Sequence, residues 1–392
     1  MSKKKHIYII GSKGIPAHYG GFETFVEELV RNRESDKIQY HVACMADCEE
    51  TFSYLGAECF QIKVPQIGPA KAVYYDIAAF LHCLKDIRKN KIEEPVVYVL
   101  ACRIGPFIGY LKHRLKALGG TLYVNPDGHE WMRAKWNAAI RRYWKFSERL
   151  MVKHAKLLVC DSKNIEEYIQ DEYAKYKPKT TFIAYGTHCG KETPKDAAAA
   201  GKLKEWYQKY GIKEKEYYLV VGRFVPENNY ETMIREFMKS DTRKDFVLIT
   251  NVEHNKFYEQ LKEKTHFNED ARIKFVGTVY DAGLLADIRR NAFAYLHGHE
   301  VGGTNPSLLE ALAATELNLL LGVGFNREVA EDGALYWSKE SGDLCGLLGK
   351  AEKLSEQERM EISACAKARM KKWYSWSYIV ERYETLFLRG TC

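Results

Sequence analysis

Short apolar runs alternate with longer stretches of helical period along almost the whole chain, which predicts parallel sheets built from strand–helix–strand units. In the first half the runs predict strands at 6–10, 39–43, 96–101, 121–124, 157–160 and 181–183. Apolar residues spaced three and four apart predict helices at 22–33, 71–89, 106–117, 134–155 and 165–172. The second half repeats the theme, with strands at 217–221, 246–250, 273–275, 292–296 and 317–321 and helices near 230–238, 255–263, 282–290 and 307–314. Between the halves, 186–201 is rich in Lys, Thr, Ala and Gly without a clear hydrophobic period and reads as a linker. A last amphipathic helix, through Trp373, Trp376, Tyr378, Ile379, Tyr383 and Leu386, is expected to cross back and brace the two halves. The expected class is α/β, with two doubly wound domains facing a central cleft. The N-terminal domain spans 1–190, the C-terminal domain 200–370 and the returning helix 371–392. Ligands in such folds bind outside the carboxyl ends of the strands.

Composition narrows this picture. A chain of 392 residues exceeds the roughly 250–300 at which single cores stop growing, so two domains agree with the pattern. Ten cysteines are scattered with no C-x-x-C pair, and nothing near Cys44 and Cys48 completes a ligand set. Reduced thiols and no metal are the expectation. The apolar run at 7–10 is too short for a signal-peptide core, and no stretch approaches the ~18–20 apolar residues that span a bilayer. A cytoplasmic protein, soluble or peripheral to the membrane, follows as the expectation.

Charge is unevenly spread. Between 112 and 156, eleven Lys/Arg stand against three Asp/Glu, so this segment carries +8 and the rest of the chain −1. Interleaved with Trp131, Trp136, Tyr143, Trp144 and Phe146, it resembles a basic, aromatic face for anionic lipid headgroups, with an ordinary solvated helix face as the alternative. A nucleic-acid partner is not expected, because no recognisable motif accompanies the charge.

Candidate chemistry clusters after strands. The stretch Gly302-Gly303-Thr304-Asn305-Pro306-Ser307-Leu308-Leu309-Glu310 follows an apolar run and reads as a tight glycine loop entering a helix through Asn305 and Pro306. Such a helix start offers N–H groups and the positive end of a dipole to a phosphate. Glu310, one turn on, could accept hydrogen bonds from sugar hydroxyls. After the first strand, Gly11 to Glu23 lacks G-x-G-x-x-G spacing, which weakens a nicotinamide reading, but Gly20-Gly21 would let backbone approach a phosphate. After another strand, Gly222 permits a turn and Arg223 could aim a permanently charged fork at a diphosphate.

Taken together, Gly20-Gly21, Gly222-Arg223-x-x-Pro226-Glu227 and Pro306-x-x-x-Glu310-Ala311, in this order, resemble glycosyltransferase family 4. That resemblance implies the GT-B fold, two Rossmann-like domains, and retention of anomeric configuration. The block from Gly11 to Thr24, with Asp127-Gly128-x-Glu130-Trp131-x-Arg133-x-Lys135-Trp136, is similar to a narrower group of bacterial rhamnosyltransferases. Those build capsule or cell-wall rhamnose polysaccharide on a lipid carrier. Two positions depart from the wider pattern: Asn228 stands where a lysine is usual, and Gly302 where a glutamate is usual, with Glu300 two residues earlier. A 6-deoxy sugar such as L-rhamnose is compatible with the second change.

By resemblance, the chain is expected to be a hexosyltransferase moving L-rhamnose from dTDP-β-L-rhamnose, in a β-1,4 linkage, to GlcNAc or glucose on undecaprenyl diphosphate. It would work as a peripheral protein on the inner face of the plasma membrane. A UDP-hexose donor, or a sugar-nucleotide epimerase on the same fold, is the alternative. The donor side is expected to comprise Gly20, Gly21, Arg223, Asn228, Val279, Glu300, Gly303, Thr304, Asn305 and Glu310, with Glu310 on the nucleotide sugar and 276–280 near the base. The acceptor side is expected at strand ends of the first half, from Asp127, His129, Glu130, Asp161 and Tyr185, with His18 and His297 as weaker candidates. No cofactor or metal is implied, and no Asp-x-Asp motif occurs.

Overall fold

The computed structural model describes residues 4–17, 20–133, 136–190, 197–253 and 255–390. The chain divides into two compact units, Met1–Gly186 with Trp376–Cys392, and Thr187–Ser375.

In the first unit eight strands make one sheet: β1 (Lys5–Ile10), β2 (Ile38–Ala46), β3 (Thr51–Tyr54), β4 (Ala57–Lys63), β5 (Val96–Leu100), β6 (Thr121–Asn125), β7 (Leu157–Cys160) and β8 (Thr180–Phe182). Their order is β3-β4-β2-β1-β5-β6-β7-β8, parallel except for the antiparallel β3–β4 pair. Alternate side chains serve two cores. Tyr8, Ile10, Val97, Val99 and Val124 pack against helices Lys71–Lys89, Gly105–Ala117, Ala138–His154 and Lys163–Glu172. The intervening Tyr40, Tyr98 and Tyr123 meet Phe387 of helix Trp376–Arg389, whose Tyr383 ring lies 5.1 Å from Phe25 of helix Gly21–Arg31. Glu384 of the last helix accepts the amides of Glu34 (3.0 Å) and Ser35 (2.9 Å). With both faces covered, a strand such as β5 is buried throughout, which is why these strands appear as continuous apolar runs.

The second unit holds a six-stranded parallel sheet of β9 (Tyr217–Val221), β10 (Asp245–Ile249), β11 (Ile273–Phe275), β12 (Ala294–His297), β13 (Asn318–Leu321) and β14 (Leu335–Trp337), ordered β11-β10-β9-β12-β13-β14. Helices Tyr230–Met238, Lys256–Thr265, Ala282–Arg290 and Pro306–Ala314 fall where the periodicity predicts.

Several local features differ from the sequence reading, which also placed neither β14 nor helices Gly324–Ala330 and Asp343–Lys353. Helix Ala197–Tyr210 begins inside the segment read as linker, because alanines favour helix and Leu203, Trp206, Tyr207 and Tyr210 give it an apolar stripe that packs on the core; 191–196 lie outside the described residues. The hairpin β3–β4 was hidden by its polar alternation, and it turns on Leu55 and Gly56, both at positive φ. The C-terminal helical stretch is two helices, Glu356–Trp373 and Trp376–Arg389, separated at Tyr374–Ser375, where Ser375 bridges Thr187.

Candidate functional site

In the second unit the chain winds from β9 outward through β10 and β11, then returns to β12 and continues the other way. The switch point between β9 and β12 is where such sheets bind ligands. Two loops of the predicted donor set meet there. Gly222 and Arg223 follow β9, and Arg223 is exposed with no ion-pair partner among the described residues. Residues 298–305 follow β12 and enter helix Pro306–Ala314, with Asn305 Oδ1 accepting from the Ser307 amide at 2.9 Å. A side chain at Gly298 would put its Cβ 2.4 Å from the Asn228 carbonyl oxygen, so the close passage of the two loops requires that glycine, whereas Gly302 is required by its own φ of 130. Thr304 is buried.

Behind the loops lies a polar network. Ser307 Oγ donates to the Val221 carbonyl (3.1 Å) and lies 3.1 Å from Tyr295 Oη. His297 Nδ1 faces the same hydroxyl at 3.4 Å, while its Nε2 is buried without a partner. Burial, reinforced by His299, drives the His297 pKa well below the ordinary range, so its ring is neutral. Glu310 is half-exposed, with one oxygen 2.6 Å from Nη2 of the buried Arg289.

The two departures from the family pattern acquire local roles. Asn228 donates through Nδ2 to the Arg223 carbonyl (2.7 Å), and its Oδ1 lies 2.7 Å from His299 Nδ1, so it ties the β9 loop to the β12 loop. Glu300 is ion-paired with Lys339, and its amide donates to the Glu227 carbonyl at 3.1 Å. Val279 is half-buried against the core beside β11, and the neighbouring Tyr280 is exposed.

In the first unit the switch point falls between β1 and β5. The loop after β1 is fastened to the helix it precedes: Glu23 accepts the Lys13 amide and Glu27 the Ala17 amide, both at 2.6 Å. Gly20 has φ 132, and a Cβ there would lie 1.9 Å from Glu23 Oε2. The positive φ is the reason for glycine at Gly20, since the flexible Glu23 carboxylate could move aside. Gly21 opens helix Gly21–Arg31, and His18 lies outside the described residues. From β5, Arg103 donates to the Gly11 carbonyl (2.7 Å) and pairs with the fully buried Asp76 at 3.3 Å. Burial pushes the Asp76 carboxyl up to about 6, opposed by Arg103.

Asp127, His129 and Glu130 lie together on the loop after β6. Asp127 and His129 adopt positive φ, and Asp127 Oδ1 accepts the Gly128 amide at 2.9 Å. The His129 ring is 4.2 Å from Tyr168, and burial, then Lys145, lowers its pKa, favouring neutral imidazole. Glu130 is engaged by Arg133 (2.5 Å) and Trp136 Nε1 (2.8 Å), which brace the loop. Asp161 and Tyr185 follow β7 and β8 and are both buried. Tyr185 packs 5.4 Å from Phe25, and burial, then Asp161, holds its phenol well above the usual range.

The basic segment is corrected in one respect. Trp144 is buried, Trp131, Trp136 and Tyr143 are half-buried, Lys145 Nζ sits 4.6 Å over the Trp131 ring and the Trp136 and Trp144 rings lie 5.9 Å apart, so these contacts fasten Trp131 and Trp136 to helix Ala138–His154. Phe146 is exposed beside Arg142 and Arg149, and Phe107, Tyr110 and Tyr74 of the adjoining helices are exposed as well. Lys135 lies outside the described residues. Among those described, no helix is long and apolar enough to cross a membrane. No group of three His, Cys, Asp or Glu among them is placed to hold a metal ion.

A family model described as "Domain of unknown function (DUF1972)" matches residues 4–188. No curated protein matches the chain. Among solved structures, sucrose-phosphate synthase from Thermosynechococcus elongatus superposes with a TM-score of 0.77 at 15% identity, covering 98% of each chain. A glycosyltransferase from Rickettsia africae ESF-5 gives 0.72 at 13% identity, covering 100% of both. Anabaena HepE, solved in complex with UDP, gives 0.67 at 13% identity over 97% of this chain and 99% of that one. With its two parallel-sheet, Rossmann-like units, the chain has the GT-B fold.

Proposed function

We propose that the chain is a retaining glycosyltransferase that moves L-rhamnose from dTDP-β-L-rhamnose to a lipid-diphosphate-linked GlcNAc or glucose. One observation carries the reading: Arg223, a cation without an ion-pair partner among the described residues, shares the β9–β12 switch point with the start of helix Pro306–Ala314. Guanidinium and helix dipole together suit a diphosphate. In the proposed step the anomeric carbon–oxygen bond to the diphosphate breaks as the acceptor oxygen bonds the same carbon from the same face. The acceptor proton passes to the leaving diphosphate. Arg223 and the amides of Gly303, Thr304 and Asn305 stabilise the charge that develops there. Asp127 and the neutral His129 orient the acceptor hydroxyl, and Glu130 holds their loop.

Incubation with dTDP-β-L-rhamnose and a short lipid-diphosphate-GlcNAc acceptor tests the proposal. A rhamnosylated lipid with retained configuration is the expected product. A UDP-hexose donor is the second reading, favoured by the UDP bound in the Anabaena structure; transfer from UDP-glucose alone would replace the rhamnose assignment with it. Conversion of the nucleotide sugar without any acceptor would instead indicate an epimerase.

The lipid acceptor requires approach to a membrane. Phe146 and Tyr110, with Arg142 and Arg149, offer apolar and basic groups on adjoining helices. Each Lys or Arg near an anionic surface contributes about 1 kcal/mol. Arg142→Gln with Arg149→Gln is expected to weaken binding to phosphatidylserine-containing liposomes roughly thirtyfold, with little change on neutral ones. Equal sedimentation of the native chain with anionic and neutral liposomes would remove the membrane part of the proposal.

A further inference from the structure

Arg289 belongs to none of the motifs above. It lies in the last turn of helix Ala282–Arg290, which packs against helix Pro306–Ala314, and is 4% exposed. Its Nη2 sits 2.6 Å from Glu310 Oε2 and donates to Ser307 Oγ at 3.2 Å, while its Nε is buried without a partner. A buried guanidinium needs a compensating anion, and Glu310 supplies it with one oxygen. The other oxygen, Oε1, has no ion-pair or hydrogen-bond partner among the described residues, on a side chain that is 45% exposed.

We infer that Arg289 makes the nucleotide site selective for 2′-deoxyribose over ribose, by claiming one oxygen of Glu310 and leaving one for a single sugar hydroxyl. The inference rests on the reading that Glu310 meets the nucleotide sugar. A ribose presents neighbouring 2′ and 3′ hydroxyls, and an unencumbered carboxylate accepts one on each oxygen. With Oε2 already accepting from Arg289, the second hydroxyl must share that oxygen with a charge-assisted contact and makes the weaker bond. A 2′-deoxyribose has one hydroxyl for the one open oxygen. The same contact keeps the Glu310 charge partly neutralised near the diphosphate.

Calorimetry on the full chain with nucleotides of one base isolates the sugar. The native chain is expected to bind 2′-deoxyuridine diphosphate ~tenfold more tightly than uridine diphosphate, the scale of one unmade hydrogen bond. Arg289→Met is expected to bring the two within threefold, chiefly by improving uridine diphosphate. Equal affinities in the native chain, or an unchanged ratio in the folded Met variant, would overturn the inference. Should that variant fail to fold, 3′-deoxyuridine diphosphate decides: with one hydroxyl, it is expected to bind the native chain ~tenfold more tightly than uridine diphosphate, and binding no tighter than uridine diphosphate overturns the claim. Glu310→Ala separates the levels. Native-like affinity in that variant would remove Glu310 from the sugar and take the underlying site with it.

Discussion

Alanine at position 223 is expected to lower kcat for sugar transfer roughly 100- to 1,000-fold, the usual cost of deleting a donor aimed at developing negative charge. The guanidinium would stabilise the leaving diphosphate, whose charge grows as the glycosidic bond breaks. The same substitution is expected to leave the fold intact. Arg223 is exposed and makes no ion pair among the described residues, so its loss belongs to surface changes, which shift stability by about 0.5 kcal/mol or less. A melting curve beside the steady-state kinetics separates the two effects. A loss of only a few-fold, in a variant that melts like the native chain, would mean the guanidinium does not meet the diphosphate.

The second large effect concerns Arg103. Replacing it by methionine keeps much of the packing but leaves the fully buried Asp76 without its cation, a change that costs about 3–5 kcal/mol when the remaining group is charged. The cost depends on pH with a definite sign. The Asp76 carboxyl titrates at about 6 in the fold against 3.8 unperturbed, so its contribution is full below about pH 4 and fades as pH rises through 6. Without Arg103 to oppose burial, the carboxyl titrates still higher and the fade becomes steeper. Urea unfolding should therefore find Arg103→Met close to the native chain at pH 4 and several kcal/mol weaker at pH 7.5. Equal destabilisation at both values would show that lost packing, not the stranded carboxyl, sets the cost. Because Arg103 also holds the Gly11 carbonyl, the variant should loosen the loop after β1.

The alternation of apolar runs and helical periods was enough to locate most strands, since parallel strands buried on both faces leave an unmistakable apolar run. What escaped were elements without that mark. The polar-alternating β4 buries Ala57, Cys59 and Ile62 while exposing Glu58 and Lys63, and the three-residue β14 is shorter than any useful period. Helix Ala197–Tyr210 does carry a stripe, Leu203, Trp206, Tyr207 and Tyr210, but the alanine- and lysine-rich stretch that opens it reads as linker. At the candidate site, the loops carrying Arg223 and 302–310 were legible because a strand, a glycine turn and a helix start leave a local signature. Arg289, Lys339 and His299 were not. Each matters through a contact with a residue far away in sequence or on another element, as Arg289 reaches Glu310 and Lys339 reaches Glu300. One faint signal existed for Arg289: Leu285 and Ile288 place the buried stripe of its helix, and Arg289 adjoins it. The tryptophans of the basic segment show the converse. Sequence cannot tell an aromatic ring that faces lipid from one that pins a loop, and Trp144 does the second.

Hydrogen–deuterium exchange of the full chain, with and without saturating dTDP, tests most directly the claim that the β9–β12 switch point holds the nucleotide diphosphate. Slowed exchange concentrated at 222–224 and 302–306, and absent in Glu310→Ala at the same nucleotide concentration, is the predicted result. Protection confined to the first unit, or none at saturation, would contradict it.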